Sequence, residues 1–153
     1  MPFYIDRYDS KKQKEGVWLE YEGSRFLIRC QNTPEYLRIS RFVSGDAGSG
    51  LSHVSQGLSF ENGEYDPELH EHRLMLAVAK VLLIDWDGVK NAEGSHVEPS
   101  IENRYRALVD NPLFRVWVTI QSNTLENYHS DAHIARLAAA QSEKAQKPDS
   151  EAA

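Results

Sequence analysis

The sequence predicts an α+β fold: a mainly α-helical single domain with an N-terminal β-hairpin and a disordered C-terminal tail. Three observations carry that expectation. Two β-prone runs, at 17–21 and 25–31, flank a short glycine-containing turn. Further on, apolar residues recur at helical spacing between cap-and-proline signals. From Gln141 onward only charged, Ala, Ser, Gln and Pro residues remain, with little apolar surface to offset the entropy of ordering. The 153 residues leave room for one domain with a core and not for two. The organisation expected is a flexible arm at 1–15, a domain at 16–140 that contains a Gly-rich loop at 44–65, and a tail at 141–153.

Taken in order, the arm opens on Phe3, Tyr4 and Ile5 and turns charged through Lys11, Lys12 and Lys14. The hairpin follows, packed through Trp18, Phe26 and Ile28, because a lone hairpin is only marginally stable in water. Thr33 before Pro34 is a helix start: the hydroxyl can cap, and proline suits the first helical position, where its missing N–H has no partner to lose. That helix runs through Tyr36, Leu37, Ile39 and Phe42 to a stop at Gly45. The 44–65 stretch carries five glycines and is too long for an ordinary connection. Asp66-Pro67-Glu68 repeats the start signal for a core helix that uses Leu69, Leu76, Val78, Ala79, Leu82 and Leu83, ends around Trp86 and stops at Gly88. A polar turn and a Ser100 cap then open a third helix through Tyr105, Leu108 and Val109, which makes this region a helix-loop-helix. Asn111-Pro112 breaks it and opens a fourth through Phe114, Val116, Trp117 and Ile120, with a strand as the alternative for the β-branched residues. Residues 123–128 interrupt that helix, and a last one uses Ala132, Ile134 and Leu137.

Composition excludes several function classes. A net charge of −6 argues against a sequence-independent grip on nucleic acid, which needs clustered Lys and Arg. Arg25, Arg29, Arg38 and Arg41 lie near one another but read better as a solvated outer face. Cys30 is the single cysteine, so no internal disulfide can form, and a buried small hydrophobe is the expected role. The charged N-terminus predicts no signal peptide, and the run from Val81 to Ile84 is far too short to cross a bilayer. Host cytoplasm is the expected location.

Catalytic readings fare poorly. His70-Glu71-His72 lacks the second histidine of a zinc-protease helix, since Leu74 stands there, and alternate helix positions face different ways. His129 and His133 have ligand-competent spacing, four apart, but no cysteine accompanies them. Asp85 and Asp87 read as wet acids at a helix end, and Gly45 to Gly50 lacks the lysine of a phosphate loop. The expectation is therefore no catalytic residue, no metal and no cofactor. Trp86, Tyr105, Phe114 and Trp117 are the candidate partner-binding residues, with core burial the preferred reading for Trp86.

Glu15-Gly16-Val17-Trp18-Leu19 opens the hairpin, and Ile84-Asp85-Trp86-Asp87-Gly88-Val89 follows it downstream. Then come Pro99-Ser100-Ile101-Glu102-Asn103, Leu108-Val109-Asp110-Asn111-Pro112 and Asn123-Thr124-Leu125-Glu126-Asn127-Tyr128. This ordered series resembles the tail assembly chaperones of long-tailed bacteriophages and related prophage elements, over roughly Glu15 to Tyr128 and with a break at the Gly-rich loop. The resemblance implies a small helical factor without catalytic activity. It would hold the tape-measure protein soluble, recruit tail-tube protein, and be absent from the mature virion. Such proteins are often accompanied by a frameshift-extended form of themselves. Two alternatives stand beside it: another phage morphogenesis component, such as a tail-completion or head–tail joining protein, and a small metal-dependent hydrolase using His70, His72, His129 or His133.

Overall fold

The computed structural model describes residues 1–43 and 67–146. The Gly-rich loop, the Asp66 cap and the last residues of the tail, 147–153, lie outside the described residues. The chain forms an α+β single domain in which helices cover one face of a three-stranded antiparallel sheet ordered β1-β2-β3.

Helix α1 (Ser10–Glu15) occupies the stretch read as a loose arm. Asp9 caps it by accepting from the amides of Lys11 and Lys12. Gly16 ends it at φ 89° and ψ 169°, a conformation essentially restricted to glycine. An added Cβ there would stand 3.0 Å from the Ile28 carbonyl oxygen. Gly16→Ala is therefore expected to destabilise the fold by about 1–3 kcal/mol from backbone strain alone, measured by denaturant unfolding.

Strands β1 (Val17–Tyr21) and β2 (Ser24–Ile28) pair from Tyr21↔Ser24 to Val17↔Ile28. Glu22 at φ 49° and Gly23 at φ 83° make the two-residue turn whose twist matches the strands. Phe26 and Ile28 face the core, while Trp18, Glu20 and Arg25 face solvent.

The sheet departs from expectation at its third member. Leu83–Asp87 is not a helix end but strand β3, antiparallel to β2 with Phe26 opposite Trp86 and Leu27 opposite Asp85. Helix α3 (Pro67–Ala77) passes into a π-helical turn at Val78–Leu82, which buries Val78, Ala79, Val81 and Leu82 and leads into the strand. The competing force is plain: β2 alone in a hairpin would leave one row of backbone groups unpaired, and β3 supplies their partners. Alternation then carries Trp86 inward and both aspartates outward. The change of helical register also revises the expected core face. Met75 and Ala77 are buried on α3, whereas Leu76 is exposed.

The remaining helices follow the sequence signals closely. Helix α2 (Pro34–Val43) starts after Thr33, whose hydroxyl accepts from the Tyr36 amide at 3.4 Å. Ser100 Oγ accepts from the Asn103 amide at the start of α4 (Ile101–Asp110). Ser100→Ala should cost about 0.5–2 kcal/mol, visible as a lowered thermal midpoint with an unchanged fold by circular dichroism. Pro112 opens α5 (Pro112–Ser122), so the strand alternative does not form. A short 3₁₀ turn at Leu125–Tyr128 precedes α6 (Asp131–Gln146), which runs into the stretch expected as tail. Tyr128 is fully buried and donates its hydroxyl to the Ile28 carbonyl at 3.0 Å, tying this turn to the sheet. Among the described residues no helix is long and apolar enough to cross a membrane.

Candidate interaction surface

Helix α5 carries two apolar faces, one turned inward and one turned to solvent. Phe114 and Val118, one turn apart, point into the core with Leu108 and Phe26. Leu113, Val116 and Ile120 fall at the i, i+3, i+7 spacing of a different stripe and are 79%, 50% and 54% exposed. Trp117 borders that stripe. It is half-buried, with its ring 4.9 Å from Tyr21 and 6.0 Å from Phe114. Helix α5 carries apolar residues on two adjoining faces, and among the described residues only the Phe114–Val118 face is packed into the core, which leaves apolar surface whose exposure to water is unfavourable.

The four residues nominated from sequence separate into two classes. Trp86 and Phe114 are core residues, 6% and 7% exposed, and have almost no surface for a partner. Trp86 packs edge-on against Phe26 and donates its indole N–H to the Val97 carbonyl at 2.7 Å, pinning the loop between β3 and α4. Phe114 sits 4.7 Å from the Phe26 ring, ring centre to ring centre. Their role is corrected to structural, for a simple reason: they stand on the inward faces of β3 and α5, where large apolar groups displace most water. Tyr105 and Trp117 are half-buried. Tyr105 hydrogen-bonds His72 Nδ1 through its hydroxyl, so of the four only Trp117 adjoins the exposed stripe.

Leu113, Val116 and Ile120 were not nominated. Their signal lay in the spacing: once Phe114 and Val118 are assigned inward at i, i+4, the other apolar positions of α5 must point elsewhere.

The remaining polar candidates have ordinary occupations. His72 meets Tyr105, and beside it Glu71 pairs with Arg115 at 3.1 Å. Asp87 pairs with Arg25 at 3.2 Å on the open face of the sheet, and Asp85 accepts from the Trp86 amide. Arg29 donates to the carbonyls of Lys14 and Val81, stitching α1 to the π-helical turn. Cys30 is fully buried and burial pushes its thiol pKa up, which disfavours the thiolate a nucleophile needs. His129 and His133 come together with ring centres 4.7 Å apart. Among the described residues no group of three or more His, Cys, Asp or Glu side chains is placed to hold a metal ion.

The family model described as YdaY prophage protein matches residues 51–137, more than half of the chain. The matched span includes α3, β3, α4, α5 and the first turns of α6, and hence the entire exposed stripe; the β1–β2 hairpin lies outside it. No curated protein and no solved structure shows significant similarity to the chain.

Proposed function

The chain belongs to the YdaY prophage protein family, and from that premise we propose that it is a non-catalytic tail assembly chaperone. It binds the tape-measure protein and helps recruit tail-tube subunits in the host cytoplasm, then leaves before the virion is complete. The observation that carries this reading is the Leu113–Val116–Ile120 stripe, bordered by Trp117, on a helix whose other side is anchored in the core. A tape-measure protein is long and helical and has apolar surface to protect until the tube encloses it. A rigid helix presenting apolar residues at i, i+3 and i+7 can pack against another amphipathic helix. The net charge of −6 favours solubility of the free chaperone despite the exposed stripe.

Co-expression with the tape-measure protein of the same prophage tests the proposal. The expected result is soluble, co-purifying tape-measure protein only when this chain is present, together with absence of the chain from purified virions. A tape-measure protein equally insoluble with and without it would overturn the proposal. Stoichiometric presence in virions would favour a tail-completion or head–tail joining component instead.

A further inference from the structure

Helix α6 has one buried residue along its sixteen, and that residue is His133, 2% exposed. What holds the helix at this point is the N-terminal segment. Asp6 accepts both of its carboxylate contacts from Arg136 Nη2, at 2.9 and 2.8 Å. Ser130 donates its hydroxyl to the Asp6 carbonyl and its amide to the Arg7 carbonyl. Lys12 closes the seam on Asp131 at 2.8 Å, and Arg136 lies 3.8 Å over the Tyr4 ring.

The seam is poorly satisfied inside. His133 Nδ1, Arg7 Nε and Arg136 Nη1 are all buried without a hydrogen-bond partner, an uncommon concentration of orphaned polar atoms. His133 also stands in the first turn of α6, where the helix dipole opposes positive charge. The groups around it are Arg7 and Asp6 from the N-terminal segment, His129 from the preceding turn, whose ring lies tilted 5.3 Å from that of Tyr8, and Arg136 from its own helix. Asp6 is the one anion among them and is already engaged by Arg136.

We propose that the N-terminal segment and His133 form an acid-opened latch, which holds α6 against the domain at neutral pH and frees it when His133 takes up a proton. Inside the closed seam the imidazolium would meet two guanidiniums and a helix N-terminus without water to solvate it; in the open form water solvates it freely. Burial first, then His129, Arg7 and Arg136, lower the pKa of His133 below its ordinary 6.5, with Asp6 opposing. The sign follows. The open form binds the proton more readily, so the closed form loses stability as pH falls through 6.5 and on through the lowered value. Arg136 holds the Asp6 carboxyl below its ordinary 3.8, so Asp6 stays ionised through the histidine transition and the two titrations separate.

Backbone ¹⁵N relaxation of the full chain at pH 7.5 and pH 5 tests the latch. Amides of α6 are expected to fall from an order parameter of about 0.85 to below about 0.6, while β1, β2 and β3 stay rigid. His133→Leu, which fills the site without a titrating group, should keep α6 rigid at both values. An α6 that stays rigid at pH 5, or a variant that loosens with acid as the wild type does, would overturn the proposal. If the leucine variant does not fold, the wild type decides: loosening of α6 that tracks the His133 ring titration sustains the latch, and loosening at another pH, or none, refutes it.

Discussion

Trp86→Ala is expected to destabilise the domain by about 3–5 kcal/mol, the range for deleting a large aromatic ring from a packed core. Single domains are typically stable by only about 5–15 kcal/mol, so the loss would remove a large fraction of the stability, and nearly all of it at the low end of that range. Two losses combine. The indole leaves a cavity beside Phe26, and the Val97 carbonyl loses its 2.7 Å donor, freeing the connection from β3 to α4. Urea unfolding followed by far-ultraviolet circular dichroism measures the effect. A cost below about 1 kcal/mol would show that the residue is not the internal anchor described here.

Leu113→Glu combined with Ile120→Glu is expected to do the opposite. Both side chains are more than half exposed, so stability should change by about 0.5 kcal/mol or less per site. Affinity for a client should fall by about 2 kcal/mol or more, roughly 30-fold, because charges would have to be desolvated where apolar contacts stood. Calorimetric titration of a soluble tape-measure fragment into wild type and double variant gives the comparison. The contrast matters more than either number: the Trp86 variant is expected to act through the fold, the α5 variant through the proposed contact with a client.

Local chemistry explains why much of the architecture was legible. Thr33-Pro34, Ser100 and Asn111-Pro112 each mark a helix start by satisfying or removing amide donors at that point, a requirement that does not depend on the rest of the chain. The Glu22-Gly23 turn is equally local. Strand β3 was not legible, because Leu82 to Trp86 is apolar enough to extend a helix, and only the unpaired edge of β2, some fifty-five residues earlier in the chain, decides against it. The same holds for α1, which reads as a loose arm by composition and is held to α6 through Lys12–Asp131, beside the Asp6–Arg136 pair of the preceding residues. The exposed stripe of α5 was half legible: Trp117, at its border, stands out by residue type, and Leu113, Val116 and Ile120 required the phase of α5 to be set by Phe114 and Val118.

The prophage family assignment narrows the biology and leaves the mechanism to the surface. Among the described residues of the matched span, α5 is the helix that exposes three large apolar side chains, while its Phe114 and Val118 seat it in the core with Phe26 and Leu108. The claim on which the account turns is that this outward stripe keeps a larger phage protein in solution. Co-expressing the tape-measure protein with wild type, and in parallel with the Leu113→Glu, Ile120→Glu variant, measures that claim as the fraction of tape-measure protein left in the supernatant. The account predicts a soluble client with the wild type and a precipitated one with an equally well-folded variant. Equal solubility in the two would contradict it.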